Sequence, residues 1–367
     1  MEKKRKLDRV SSSSSEVSAE PVPKPSESVK VALLIRPLLA DERAAGQNVC
    51  LRKVEGKPEV ALDGAGGFKF DHVSGPDEPV DVVFERCVLN SILANVLQGF
   101  NGTVLAYGQT RSGKTHAMGS GALRGAPSGL IQLAVAALFE RLPEGTTVHA
   151  SFTQIYCEEV HDLLNCSKDG DLATLPIKGS TATGYSLPTA ERVLVSSLED
   201  VMAAIARGAA NRATGATKMN AHSSRCAQFF SPPAQFFSAR NSRRAILRRR
   251  PCPSRAHSSH AIVSLELAIP DPTPGAAEGA TLRPKLLFVD LAGSERTKRA
   301  GTSGQSLREG IQINLSLLCL GDVVQALSKG QDFVPYNRSS LTKILQVSRR
   351  RRPRRPSVAH AASAPTA

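Results

Sequence analysis

Gly108-Gln-Thr-Arg-Ser-Gly113-Lys114-Thr115 is the stretch on which the fold turns. It follows the pattern G-x-x-x-x-G-K-[ST], in which each residue type has a task. The glycines let successive backbone N–H groups face a β-phosphate, Lys114 reaches the β- and γ-phosphates, and the Thr115 hydroxyl can coordinate Mg²⁺. Position supports the motif: Gly102 to Tyr107 reads as a buried strand ending at the Gly-rich turn, and helical residues are expected after it.

A phosphate site of this kind needs a second acidic group for the metal. Leu286-Leu-Phe-Val-Asp290 supplies one at the end of an apolar strand predicted over Lys285 to Val289, and Leu291-Ala-Gly-Ser-Glu295 follows. Val29 to Ile35 also reads as a buried strand. Ser197 to Ala210 has helical periodicity, and Ile311 to Leu327 reads as a long amphipathic helix. Apolar runs alternating with helices predict an α/β chain with a mainly parallel or mixed sheet and helices on both faces.

With 41% apolar and 22% charged residues, the 367-residue chain can build one large α/β domain or two ordinary ones. No run of 18 apolar residues occurs and the first thirty residues contain no apolar stretch, so neither a membrane span nor a secretory signal is expected. The seven cysteines lack any Cys-x-x-Cys pair, which fits reduced thiols in a soluble intracellular protein. Cys252, His257 and His260 fall short of the four ligands of a structural zinc site.

The net charge of +14 invites a nucleic-acid reading, and its location decides what that reading rests on. Residues 226–258 hold seven arginines and no acid, 347–367 hold six arginines and no acid, and 1–28 hold six bases against five acids. These segments account for the whole excess, leaving the rest near neutral. Nucleic-acid binding therefore draws only on the two Arg-rich segments, not on the core, and predicts a steeply salt-dependent affinity lost on their deletion. Residues 1–28 read as a disordered Ser/Pro-rich leader. Within it, Lys3-Lys4-Arg5-Lys6 fits both a nuclear import signal and a solvated segment. Residues 226–258, with Ala-Gln-Phe-Phe-Ser nearly repeated, and 347–367 show neither helical nor strand period.

Ala106-Tyr-Gly-Gln-Thr-x-Ser-Gly-Lys-Thr115, Asn220-x-x-Ser-Ser-Arg225, Asp290-Leu-Ala-Gly-Ser-Glu295 and Val334-Pro-Tyr-Asn-Arg-Ser-Ser-Leu-Thr342 resemble kinesin motor domains in order and approximate spacing. Ile35-Arg36-Pro37, Phe70-Asp71-His72-Val73 and Gln154 to Leu164 add to the resemblance, and Gly184 to Val201 is most similar to the kinesin-4, or chromokinesin, group. The resemblance runs from Val29 to about Gln346. It implies a P-loop NTPase kinesin motor fold with a central mixed, mostly parallel sheet, and a motor domain that couples microtubule-stimulated ATP hydrolysis to movement along microtubules.

Site roles follow from the same resemblance. Arg36, Pro37 and His116 would flank the adenine, and Gly108, Gln109, Thr110, Arg111, Ser112, Gly113, Lys114 and Thr115 would hold the phosphates. Asn220, Ser223, Ser224 and Arg225 would form switch I, and Asp290, Gly293 and Glu295 switch II. Arg225 would pair with Glu295 when the switches close, and the Gly293 N–H would sense the γ-phosphate. Thr115, Ser224 and, through water, Asp290 would hold Mg²⁺. Arg296, Lys298, Arg299, Arg338 and Lys343 are candidate contacts to acidic tubulin, though a base of this kind taken singly is more often just a solvated surface residue. A cytoplasmic, cytoskeletal protein is implied, with nuclear or spindle association as an alternative.

Three features depart from the family pattern. Arg111 stands where the family has Gly, which at a positive φ costs about 1 to 3 kcal/mol. Residues 226–258 separate Asn220–Arg225 from Ser259-His260, and removing them restores the family's unbroken motif, so they read as a retained intron or gene-model error. After Gln346 the pattern stops, and the late strand and closing helix of such a motor are expected to be missing. No sustained heptads occur, so the chain as given reads as a monomer without a coiled coil. The expected organisation is a leader 1–28, a motor domain 29–346 incomplete at its C-terminus and interrupted by 226–258, and an Arg-rich tail 347–367. A catalytically impaired fragment that holds tubulin or nucleotide is the competing reading.

Overall fold

Residues 260–270 alternate in sidedness, and both sides are used. Ala261, Val263, Leu265, Leu267 and Ile269 join one buried apolar cluster, and Ile262 joins another. The computed structural model describes residues 29–346 apart from 65, 121–127, 168, 228–258, 274–276, 278 and 295–304, and the side chains of 214–227 and 305–310 also lie outside it. The leader, most of 226–258 and the tail are therefore outside the described residues.

In chain order the elements are β1 (Ala32–Leu34), α1 (Ala40–Ala44), β2 (Leu51–Lys53), β3 (Glu59–Leu62), β4 (Gly66–Lys69), β5 (His72–Ser74), α2 (Val80–Val83), a π-helical run Phe84–Leu93, and α3 (Ala94–Leu97). Then come β6 (Gly102–Ala106), α4 (Lys114–Met118), α5 (Leu130–Phe139), β7 (Thr147–Tyr156), β8 (Glu159–Cys166), β9 (Leu172–Thr174), β10 (Lys178–Ser180), β11 (Gly184–Ser186) and β12 (Val193–Val195). The rest are α6 (Leu198–Ala227), β13 (His260–Pro270), β14 (Thr281–Leu282), β15 (Lys285–Asp290), α7 (Gln305–Ser328) and α8 (Ser340–Leu345).

The main sheet runs β6-β15-β13-β7-β8-β9, with β12 added on β7 and β14 on β13. On one face, residues of α5, α6 and the helical run 80–97 pack over Leu286, Phe288, Phe152 and the odd-numbered residues of β13. On the other, α7 and α8 cover Ile155, Ile262, Leu287 and Val289. Each such large apolar side chain, fully buried, contributes roughly 1.5–3 kcal/mol. Helices thus lie on both faces, as the sequence predicts.

The sheet is mixed, but in it parallel pairing is confined, among the described ladders, to β6 with β15. The ladders from β15 through β13, β7 and β8 to β9 run antiparallel. This differs from the mostly parallel expectation because a parallel pair needs a long crossover, whereas β7 returns directly as β8. Cys157 and Glu158, at φ 49 and 67, make that two-residue turn in the left-handed conformation that suits hairpin twist.

Val29 to Ile35 is shorter and less buried than expected. Only Ala32–Leu34 is strand, paired in parallel with β5 in a separate two-stranded sheet. Val29 and Val31 are 41% and 48% exposed, because among the described residues that ribbon has no further strand hydrogen-bonded to it. Helix α6 extends well past Ala210, and α7 starts before Ile311. Ile311–Ser328 also reaches the length and hydropathy of a membrane-crossing helix, but Ser316, Cys319, Leu320, Val323 and Ala326 are buried in the fold.

Gly208 on α6 faces β7 so closely that an added Cβ would lie 2.2 Å from the Phe152 ring. That ring is 3% exposed and hemmed in. Alanine favours helix over glycine by about 1 kcal/mol, whereas overfilling a packed contact costs about 1–3 kcal/mol. Gly208→Ala is expected to lower the unfolding free energy by a net of about 1 kcal/mol, read as an earlier denaturant midpoint at unchanged slope; a later midpoint would show that the ring has room to yield.

Candidate functional site

Parallel pairing makes β6 and β15 finish at one level, with Asp290 opposite Ala106. The Leu291 N–H donates to the Ala106 carbonyl at 3.2 Å, carrying the register one residue further. The chain leaving β6 then turns through Gly108 and Gly113, at φ 153 and 96, into α4. Inside this turn Lys114 Nζ donates to the carbonyls of Gly108 and Gln109, each at 2.9 Å. Thr115 Oγ1 donates to Asp290 Oδ2 at 2.6 Å, and Asp290 is only 6% exposed. The Ser294 N–H donates to the Gly108 carbonyl at 3.2 Å, so the residue after Gly293 is tied to the phosphate-type turn.

The structure therefore brings Gly108–Thr115, Asp290 and Gly293 together. A hydroxyl beside a buried carboxylate is a set of hard oxygens of the kind Mg²⁺ takes. An ammonium lodged among loop carbonyls is placed where phosphate oxygens would be met. The donor set fits Mg²⁺ with a nucleotide phosphate.

Arg36 joins this loop from the end of β1. Its Nε donates to the Arg111 carbonyl at 3.0 Å, its Nη1 to the Pro37 carbonyl at 2.9 Å, and its two Nη atoms grip Glu42 at 2.6 and 2.7 Å. That grip, helped by the Leu39 N–H, holds the Glu42 carboxyl down at about 2 and raises Arg36. Pro37 and His116 are exposed.

Arg111 sits at φ 68, the left-handed region where a non-glycine residue costs of order 1–3 kcal/mol. Its side chain is 71% exposed and reaches Asp41 Oδ2 at 3.4 Å on α1, a surface pair of little energetic weight. Ser112 packs beneath Gly108, where an added Cβ would lie 2.7 Å from its Oγ.

Asn220, Ser223, Ser224 and Arg225 are carried on the last turns of α6, with their side chains outside the described residues. Arg212, earlier on the same helix, lies near Asp290, whose charge opposes the lowering of the Arg212 pKa by burial. At 1.5 Å per residue, about 18 Å of helix separates Arg212 from Ser224. Glu295, Arg296, Lys298 and Arg299 lie outside the described residues. Arg338 pairs with Asp322 of α7, and Lys343 sits 6.0 Å from the Tyr185 ring centre.

Sequence reasoning missed three features. Arg212 Nη2 donates to the Ser259 carbonyl and hydroxyl at 2.8 and 3.0 Å, anchoring the start of β13. The signal was a base on the otherwise apolar inner face of α6. His260 is 2% exposed beside it. Ile311, Leu315 and Leu318, at 54%, 49% and 63% exposure, form a stripe on the outer face of α7. Their spacing of four and three was legible, but a helix apolar nearly all round reads as core.

Compared with known proteins, residues 35–232 and 235–351 match the family model described as the kinesin motor domain. The chain is 36% identical to kinesin-like protein KIN-4A of Arabidopsis thaliana over 368 residues, covering 90% of the chain and 32% of that protein. It is 35% identical to kinesin-like protein KIF21B of Homo sapiens over 343 residues, covering 87% and 20%. It thus spans about a third and a fifth of these relatives. A solved fast kinesin, described for its ATPase mechanism and interactions with microtubules, superposes with a TM-score of 0.68 at 28% identity, covering 88% of this chain and 82% of that one.

Burial, and secondarily the charge of Arg212, pulls the His260 imidazole from 6.5 down to about 4. The folded protein keeps this ring neutral where the unfolded chain protonates it. Stability is then lost as the pH falls from 6.5 towards 4, by roughly 2 kcal/mol between pH 7 and pH 5. Denaturant titrations at those two pH values should show the loss, and His260→Asn should remove that part of it. An equal loss in the variant would assign the effect to other groups.

Proposed function

The chain belongs to the kinesin motor-domain family, and from that premise we propose that it binds ATP with Mg²⁺, hydrolyses it, and couples the hydrolysis to microtubule-based movement. The observation that carries this reading is the Thr115–Asp290 hydrogen bond at 2.6 Å beside Lys114 in a turn of phosphate-binding type. Residues 29–346 are the motor domain in this reading, and 226–258 an insertion in it.

Gly108 to Thr115 cradle the phosphates, and Lys114 exchanges its two loop carbonyls for phosphate oxygens. Thr115 and, through water, Asp290 would hold Mg²⁺, and Ser224 would join them once the last turns of α6 unwind towards the site; Mg²⁺ would supply neutralisation of phosphate charge. Arg36, Pro37 and His116 form the base side. Ser223, Ser224, Arg225, Gly293 and Glu295 orient water and respond to the γ-phosphate, so catalysis rests on positioning and electrostatics. The partner is tubulin. The exposed apolar stripe Ile311–Leu315–Leu318, with Arg338 paired to Asp322 further along the same helix, offers the mixed apolar and basic character that an acidic protein surface would take, and Lys343, Arg296, Lys298 and Arg299 are the further bases assigned to it in this reading. A cytoskeletal, microtubule-bound location follows, with nuclear or spindle residence tied to Lys3–Lys6.

A second reading, a fragment that holds tubulin or nucleotide without turnover, is favoured by two observations: the positive φ of Arg111 and the continuation of α6 through Ser223–Arg225.

Lys114→Ala should weaken ATP binding tenfold or more, measured with a fluorescent nucleotide; undiminished binding would remove the phosphate assignment. Turnover should be measured with and without microtubules in the whole chain and in a version lacking 226–258 and carrying Arg111→Gly. Relief of the Arg111 strain acts on the folded turn itself and should raise the unfolding free energy by about 1 kcal/mol. Microtubule-stimulated turnover in the unaltered chain supports the motor, turnover in the repaired chain alone supports the impaired fragment, and turnover in neither argues against both site repairs as the cause.

A further inference from the structure

His260 opens the central strand β13 and is buried on the face covered by α7. Its Nδ1 lies 3.1 Å from the Ala292 backbone nitrogen. A backbone N–H can only donate, so Nδ1 accepts and the ring proton resides on Nε2. Nε2 then donates to Ser316 Oγ at 2.9 Å, and Ser316 Oγ donates to the Ile313 carbonyl at 2.7 Å. The direction of the chain of bonds is thereby fixed from amide to imidazole to hydroxyl to helix carbonyl.

The two partners come from different places. Ala292 lies two residues after Asp290 and one before Gly293, in the segment tied to the phosphate-type turn through Ser294 and Gly108. Ser316 lies in the middle of α7, two residues from the exposed Leu318 and one from the exposed Leu315. In sequence they are joined only through residues 293–315. In space one ring, at the N-terminal end of the central strand β13, touches both. Neither ring nitrogen has access to water, so if the Ala292 N–H turns away, Nδ1 must find another donor or the ring must move and take Ser316 with it.

We propose that His260 is a positioning residue that couples the turn after Asp290 to helix α7, so that a change in the Ala292 amide at the nucleotide site alters the seating of the α7 docking face. The coupling rests on the reading of the chain as an ATP-driven, microtubule-binding motor domain. It does not place His260 in contact with nucleotide or tubulin. A packing histidine would need its shape only; a coupling histidine needs both bonds at once.

The test separates those roles in the whole chain. Ser316→Ala removes the acceptor of the Nε2 proton and leaves the Ala292 bond, while His260→Asn keeps an acceptor near the place of Nδ1 and loses the reach to Ser316. Microtubule co-sedimentation is measured with ADP and with a non-hydrolysable ATP analogue, beside fluorescent-nucleotide affinity and thermal midpoint. Both variants should bind nucleotide within about twofold of the parent, yet the ratio of their microtubule affinities in the two nucleotide states should fall at least threefold towards one. A ratio equal to the parent's in both variants overturns the coupling while leaving the motor reading intact. Nucleotide affinity falling in step with the ratio marks a folding defect and also overturns it. A parent whose own ratio is one overturns the motor reading, and the coupling with it.

Discussion

The register of β15 on β6 sets where the carboxylate of the nucleotide site meets the phosphate turn. Two strands lying side by side in the same direction deliver their C-terminal ends to one edge, and a pairing of Asp290 with Ala106 puts a carboxylate next to the turn that follows β6. A slip of one residue would face Asp290 to the other side of the sheet and leave Thr115 without its acceptor. The apolar residues Leu286, Leu287, Phe288 and Val289 prevent such a slip, since each would exchange one buried cluster for the other. The core therefore specifies the site, although no core residue belongs to it.

The same sheet edge collects the charges that need compensation. Arg212 is taken out of water and held by the Ser259 carbonyl and hydroxyl within reach of Asp290, so the two opposite charges steady each other in a low-dielectric setting. On the outer side Arg36 supports the strained residue of the turn by bonding its carbonyl, and Glu42 in turn fixes the guanidinium. Arg111 is thus held in an unfavourable conformation by a neighbour whose own geometry is fixed by two further bonds, which is how a local strain persists in a folded chain.

Much of this was legible in the sequence, and the exceptions have physical causes. The turn 108–115, the strand ending at Asp290 and the helices on both faces follow from local pattern, because glycine, lysine and a run of apolar residues constrain the backbone wherever they occur. The direction of the remaining strands was not legible, since an antiparallel hairpin such as β7–β8 depends on two residues, Cys157 and Glu158, that carry no ordinary turn signature. The weak burial of Val29 and Val31 depends on which strands lie beside β1, a long-range matter. Arg212 drew no reading and His260 only a rejected metal one, because their partners, Ser259 for the first and Ala292 and Ser316 for the second, are distant in sequence.

The pairing of β6 with β15 also sets an order of events. The two strands lie roughly 180 residues apart, so the phosphate turn is synthesised long before the carboxylate that completes it, and the site cannot exist until the sheet has closed around nearly the whole intervening chain. Residues 226–258 fall inside that closing loop. Its entropy grows only with the logarithm of length, and 33 additional residues raise the closing cost by about 0.2 kcal/mol. Closure of that loop is nearly indifferent to their presence, whatever they do to the helix that precedes them.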